Sequence, residues 1–131
     1  MKKTRFGIVG TGRISDWVLK GAVMEPRFEA AAVCSRSQES GKRFAEAHCI
    51  GKVYTDVDEM ASDPEIDAIY IGTPNDTHHD IAIKCLRHHK HVLCEKPMAS
   101  NACEVSEMVK AARENGVMLM EAMISTLTPN F

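Results

Sequence analysis

The chemistry legible in this 131-residue sequence starts at its first glycines, in Gly7-Ile8-Val9-Gly10-Thr11-Gly12-Arg13-Ile14-Ser15. A Gly-x-Gly-x-x-small pattern follows an apolar run there and opens an amphipathic one. In this pattern Gly10 makes a tight turn, Gly12 lets the backbone approach a pyrophosphate, and Ser15 is small enough for a helix to pack closely on a strand. The first N–H groups and the positive end of that helix then face the phosphates. By itself the pattern also fits an ordinary strand-to-helix turn, and its place at the head of a βαβ unit is what favours a dinucleotide. Gly10, Thr11, Gly12, Arg13 and Ile14 are therefore the expected contacts on the phosphate side.

A second signal lies where the next apolar run ends, in Cys34-Ser35-Arg36-Ser37. NAD-selective sites place an Asp or Glu there to take the ribose hydroxyls. Here a guanidinium and two hydroxyls stand instead, groups that hold a 2′-phosphate through charge-assisted hydrogen bonds. Ser35 and Arg36 are thus expected cofactor contacts, with NADP favoured over NAD. In the competing reading Arg36 stacks over adenine or points to solvent, and selectivity is weak.

The elements that must position these residues follow from periodicity. Continuous apolar runs at Arg5–Gly10, Phe28–Cys34, Lys52–Tyr54, Ala68–Gly72, His91–Cys94 and Val117–Ala122 read as six strands buried on both faces of a parallel sheet. Between them, Ile14, Trp17, Val18 and Gly21-Ala22 recur at helical spacing, as do Ile81, Ala82, Cys85 and Leu86, and Val105, Met108, Val109 and Ala112. Gly41, Phe44, Ala45 and His48 form a weaker fourth stripe. Asn101 with Glu104 reads as a capping box and Asn115-Gly116 as a helix stop. The class is α/β, a Rossmann-type doubly wound sheet. Two further segments, Ile71-Gly72-Thr73-Pro74-Asn75-Asp76-Thr77-His78 and His91-Val92-Leu93-Cys94-Glu95-Lys96-Pro97, then fall at the carboxyl ends of strands, on the edge where open α/β sheets bind ligands.

The glycine turn, Thr-Pro-Asn-x-x-His and Glu-Lys-Pro, in this order, resemble the amino-terminal domain of the Gfo/Idh/MocA family (glucose–fructose oxidoreductase/inositol dehydrogenase) from Arg5 to about Pro129. The resemblance implies a Rossmann domain carrying a nicotinamide cofactor, followed in complete members by a larger α/β domain. Members transfer a hydride between that cofactor and a secondary alcohol or ketone of a sugar, cyclitol or related compound. Lys96 matches the family lysine near substrate and cofactor, where a cation would hydrogen-bond the reacting oxygen and stabilise its developing negative charge. Pro97 matches a proline that in this family often follows a cis peptide. Thr73, Pro74 and Asn75 match the loop passing the ribose and nicotinamide. His78 matches a position open to two roles, cofactor contact or helix capping and packing, and Glu95 matches a residue that orients on the nicotinamide side.

Two departures stand beside these matches. Ser125 and Thr126 occupy the family's aromatic and arginine places, and His88-His89-Lys90 replaces the glycine that usually ends the helix before the fifth strand, so His89 is expected to take a left-handed conformation. The expected organisation is a Rossmann domain over 1–122, with 123–131 starting a connection to a substrate domain that this chain lacks. Cofactor binding should then survive without turnover, and any homo-oligomer should form through the missing domain. A second reading is a free-standing nucleotide-binding regulatory or redox-sensing module without catalysis.

Composition bounds these readings. Hydrophobic residues at 44% and charged residues at 26% are the proportions of a globular chain, and 131 residues suffice for one domain. A net charge of −2 argues against a general nucleic-acid or anionic-membrane binder. No apolar run reaches the roughly 18 residues of a membrane span, and the start of the chain lacks a signal-peptide core. The five cysteines are widely spaced without a Cys-x-x-Cys pair, and reduced, mostly buried thiols in a cytoplasmic protein are expected. His88, His89 and His91 straddle a helix end and a strand and point different ways, so no metal site is assigned to them. Met118, Met120 and Met123 read as core filling.

Overall fold

The computed structural model describes residues 1–123. The expected connection over 123–131, with Ser125 and Thr126, lies outside the described residues except for Met123. Six strands, β1 (Thr4–Val9), β2 (Phe28–Cys34), β3 (Lys52–Tyr54), β4 (Ala68–Ile71), β5 (His91–Glu95) and β6 (Leu119–Ala122), form one sheet in the order β3-β2-β1-β4-β5-β6. Every pairing is parallel, so each connection crosses over the sheet through a helix or helical turn. The strand order reverses between β1 and β4, and the crevice above that switch point lies at the carboxyl ends of both.

Helices cover the two faces unequally. α1 (Arg13–Ala22) and α2 (Gln38–His48) lie on one side, where Leu19, Phe44 and Ala45 pack on Ile8, Val33 and Tyr70. α3 (Val57–Ala61), α4 (His78–Arg87) and α5 (Ala102–Asn115) lie on the other, where Met60, Leu86 and Met108 pack on Val9, Ile69, Ile71 and Val92. A 3-10 turn over Asn75–Thr77 leads into α4. Consecutive strand residues serve opposite layers, Ile8 one and Val9 the other, which is why these strands carry no polar alternation.

Local chemistry explains the boundaries. Ser37 caps α2 by accepting from Ser40 N at 3.2 Å. Asn101 caps α5 by accepting from Glu104 N at 2.9 Å, and the Glu104 carboxylate reaches back to Ser100 N at 2.9 Å. Gly116 ends α5 at φ 64°, and His89 takes the left-handed conformation expected of it, at φ 60°. α3 was not anticipated; it is five residues long, too short for periodicity, and its signal is Asp56 accepting from Glu59 N at 3.0 Å.

The face of α1 differs from expectation. The apolar stripe through Ile14 and Trp17 faces outward, with Trp17 62% exposed and Ile14 37%, while Ser15 and Leu19 are the buried residues. Close approach at Gly72 is the reason: a Cβ there would lie 2.6 Å from Ser15 Oγ, so the helix seats its smallest side chain against the sheet. The methionines Met118, Met120 and Met123 are also exposed and do not fill a core. Of the cysteines, Cys34, Cys85 and Cys94 are buried and Cys49 and Cys103 exposed. Burial pushes the Cys34 thiol up to about 11 and those of Cys85 and Cys94 up to about 12, which keeps them protonated. Among the described residues no helix is long and apolar enough to cross a membrane.

One buried carboxylate ties β3 to the segment before β4. Lys52 Nζ and Tyr54 Oη donate to Asp63 Oδ2 at 2.8 and 2.7 Å, and Glu65 N donates to Oδ1 at 2.8 Å. The lysine and then the tyrosine hold the Asp63 carboxyl at about 2, below its ordinary 3.8. A depressed folded pKa means the carboxylate stabilises the fold above about pH 4 and that this is lost as pH falls toward about 2. Asp63→Asn is expected to cost about 1.5–3 kcal/mol at pH 7, the range for hydrogen bonds to a charged group, and to flatten the acid limb of stability. Urea unfolding of both proteins at pH 7 and pH 3 measures this; an unchanged acid limb would assign the acid sensitivity elsewhere.

Candidate dinucleotide site

The glycine turn is built by close backbone approach. Gly10 sits at φ +102° between β1 and α1, its N–H donating to Cys34 O at 3.0 Å, while Gly72 N donates to Val9 O at 2.9 Å. The exits of β1, β2 and β4 are thereby drawn together. Gly12 is the N-cap of α1 and provides no side chain to cap the helix. A Cβ at Gly12 would meet nothing within 4 Å, so an open cradle stands over the uncapped N–H groups of a ten-residue helix. Such a cradle suits a phosphate.

An open cleft of about 680 Å³ runs from this cradle along the switch point. It brings together Gly10, Thr11, Gly12, Ser35, Arg36, Thr73 and Pro74 among the residues expected from sequence. At its β2 end the hydroxyls of Ser35, Ser37 and Ser40 cluster at the start of α2, Ser37 Oγ lying 2.8 Å from Ser40 Oγ, and Thr11 Oγ1 lies 3.4 Å from Ser35 Oγ. Arg36 stands exposed beside them. Asp56, next to the cleft residue Thr55, is engaged as the cap of α3. Guanidinium and hydroxyls without a free carboxylate at the end of β2 suit a 2′-phosphate better than a bare ribose diol.

The remaining expected residues flank the cleft instead of lining it. Arg13 and Ile14 are exposed on the first turn of α1, and Asn75 is exposed in the 3-10 turn. Lys96 is exposed at the end of β5, in a turn whose Lys96–Pro97 peptide is cis and whose Met98 N donates to Glu121 Oε2 at 2.8 Å. Glu95 is half-buried and accepts from Tyr70 Oη at 2.7 Å, and burial together with that carboxylate pushes the Tyr70 phenol upward. His78 is fully buried behind the cleft, with Nδ1 2.8 Å from Pro97 O and Nε2 2.9 Å from Thr73 O. Of the two roles open to it from sequence, this placement is that of a packed internal residue.

Sequence reasoning passed over Ser40, Thr55, Thr77 and Ile81, which line the cleft. Ser40 lies three residues after the cap Ser37 and Thr77 within the strand-end segment Ile71–His78, whereas Thr55 directly after β3 and Ile81 on α4 carried no such signal. The histidines near β5 diverge: His88 Nε2 lies 3.1 Å from Asp58 Oδ1, His89 Nδ1 3.4 Å from Asn115 O, and His91 Nδ1 accepts from Met118 N at 3.0 Å. Among the described residues no group of three His, Cys, Asp or Glu side chains could hold a metal ion.

A glycine turn and uncapped helix at the switch point of a six-stranded parallel sheet are the marks of a Rossmann-type domain for nicotinamide dinucleotides. Comparison with known proteins narrows the class. The profile of an oxidoreductase family with an NAD-binding Rossmann fold, Gfo/Idh/MocA, matches residues 4–123. The scyllo-inositol 2-dehydrogenase (NADP(+)) IolU of Bacillus subtilis (strain 168) is 47% identical over 127 residues, 97% of this chain and 39% of that protein. The trans-1,2-dihydrobenzene-1,2-diol dehydrogenase of Xenopus laevis is 43% identical over 96% of this chain and 39% of its own length. The 3-ketoreductase KijD10 of Actinomadura kijaniata, solved with TDP-benzene and NADP in an open conformation, superposes with a TM-score of 0.92 at 30% identity, over 98% of this chain and 41% of that one. The chain belongs to the Gfo/Idh/MocA oxidoreductase family, as its NAD(P)-binding Rossmann domain, and spans 39% of the length of these two dehydrogenases.

Proposed function

We infer that this chain is the cofactor-carrying part of an NADP-preferring oxidoreductase acting on a secondary alcohol or ketone of a sugar, cyclitol or related compound. The observation that carries the reading is the cleft itself, an open phosphate cradle at Gly12 leading to Arg36 and three serine hydroxyls where a carboxylate would select NAD. The names of the inositol dehydrogenase and the 3-ketoreductase support both NADP and a polyol-like substrate class.

The bound dinucleotide supplies the hydride acceptor or donor. The chain's own residues do the rest: the α1 N-terminus neutralises the pyrophosphate, and Ser35, Arg36, Ser37 and Ser40 take the 2′-phosphate. Thr73, Pro74 and Asn75 flank the ribose and nicotinamide. Lys96 is the catalytic residue, an exposed cation that donates to the reacting oxygen and stabilises negative charge there. Glu95, held by Tyr70, orients the nicotinamide side.

Residues 1–122 form the cofactor domain in this reading, and the substrate domain and the oligomer interface belong to polypeptide beyond it. The sheet supports this division. Leu93 of β5 and Met120 of β6 are paired neighbours on the α1 side, and Met120 is 51% and Met118 61% exposed, so among the described residues no helix covers this half of a parallel sheet face. Buried, protonated thiols fit a cytoplasmic location.

Calorimetric titration of the folded chain with NADPH, followed by assay with polyols and sugars, tests the proposal. Micromolar or tighter binding without turnover is the expected result. A folded chain that binds no nicotinamide dinucleotide would overturn the cofactor reading, and robust turnover by the 131-residue chain would overturn the division of labour.

A further inference from the structure

His78 opens α4 and is 0% exposed. A helix N-terminus disfavours a basic side chain, and burying an imidazole costs free energy unless its nitrogens find partners. Both costs are met here by two carbonyl oxygens from two different loops. Nδ1 lies 2.8 Å from Pro97 O, in the turn that presents Lys96, and Nε2 lies 2.9 Å from Thr73 O, in the loop at the nicotinamide end of the proposed cleft. A ring with one N–H donates to one of these oxygens, and a ring with two donates to both.

Each loop is also held by bonds of its own. Thr77 Oγ1 bonds Thr73 Oγ1 at 2.7 Å and Pro74 O at 2.6 Å, which folds the β4 loop into a compact turn. Met98 N donates to Glu121 Oε2 at 2.8 Å and Cys94 Sγ lies 3.7 Å from Met98 O, which fixes the far side of the β5 turn. Tyr70 and Glu95 join the strands beneath, but among the described residues only the His78 ring stands at hydrogen-bond distance from both loops. A purely apolar residue would fill the same space and leave both carbonyls without this partner.

We propose that His78 is a positioning residue that sets the spacing between the nicotinamide-side loop and the Lys96 turn, through one buried ring whose Nδ1 and Nε2 stand at hydrogen-bond distance from Pro97 O and Thr73 O. The inference rests on the cofactor reading above and adds to it which residue couples the two halves of the reacting end. His78 itself touches no substrate or cofactor. The adenosine end of the cleft, at Ser35 and Arg36, is built from other elements and is independent of it.

The test compares two ligands on wild type, His78→Asn and His78→Gln. The asparagine amide lies near the place of Nδ1 and the glutamine amide near that of Nε2, so each variant retains one of the two links. NADPH spans the whole cleft, whereas adenosine 2′,5′-bisphosphate occupies only the adenosine end. Affinity for NADPH is expected to fall about tenfold in both variants, a loss of about 1.4 kcal/mol, while that for the bisphosphate stays within about twofold. Equal losses for both ligands would make His78 a general structural residue and overturn the proposal, as would no loss at all. A measurement on wild type needs no variant to fold: with ¹⁵N-labelled histidine, the His78 ring signals should shift on adding NADPH and stay in place on adding the bisphosphate. Ring signals that ignore NADPH overturn the proposal. Wild type binding neither ligand overturns the cofactor reading itself, which separates the two failures.

Discussion

Gly10→Ala is expected to lower the unfolding free energy by about 2–4 kcal/mol, the sum of a strained backbone conformation and a steric clash, and to reduce NADPH affinity at least about a hundredfold. The backbone holds φ +102° at this position, which side chains other than hydrogen rarely tolerate. An alanine Cβ would also lie 2.8 Å from Gly72 O and 3.0 Å from Gly72 C. Those are backbone atoms, and Gly72 is held by its N–H bond to Val9 O at 2.9 Å, so relief requires moving the exit of β4. Thr73 follows immediately, and the cleft is deformed at both its phosphate and its nicotinamide ends. Gly12→Ala is the control. Its Cβ meets nothing within 4 Å, so stability should change by less than about 1 kcal/mol, while the methyl fills the cradle and weakens NADPH binding more than about tenfold. Urea unfolding and calorimetry on both variants read the two effects separately. A Gly10→Ala protein as stable as wild type would mean the turn relaxes freely and is not the rigid cradle described here.

Arg36→Ala should remove selectivity and leave the fold intact. Charge-assisted hydrogen bonds to a phosphate contribute about 1.5–3 kcal/mol, so NADPH affinity is expected to fall about tenfold to a hundredfold. NADH has no 2′-phosphate and should bind within about threefold of its wild-type strength. The hydroxyls of Ser35, Ser37 and Ser40 remain in the variant and retain part of the preference. Because Arg36 is exposed, its contribution should shrink as salt is added. Side-by-side titrations of the two dinucleotides at low and moderate salt provide the measurement. A parallel loss for both would place the guanidinium over the adenine ring, and a wild-type preference for NADH would overturn the selectivity argument while leaving the fold untouched.

What could be read from the chain follows from how local each determinant is. β2 and β3 have the bounds their apolar runs suggest, and α5 is capped by Asn101 and stopped by Gly116, because these features depend on neighbours within a few residues. α3 escaped notice because five residues carry no period. The outward stripe of α1 shows the limit most plainly. Ile14 and Trp17 have helical spacing and apolar character, yet the small Ser15 faces the sheet, because the distance between α1 and β4 is set by Gly72, almost sixty residues away in sequence.

The candidate site divides along the same line. The glycine turn, the Cys34-Ser35-Arg36-Ser37 segment and the two strand-end loops were all visible as strings, and the family resemblance attached an expectation to each residue. Periodicity and turn chemistry therefore determined the class of fold, the edge that carries the chemistry and the kind of cofactor, since each is encoded in contiguous residues. Only the tertiary structure decided that His78 is buried between two loops, that Glu95 is held by Tyr70 and that Lys96 stands outside the cleft. Those facts depend on strands far apart in sequence lying side by side, and a distance across the sheet is a property of packing that no short stretch of the chain contains.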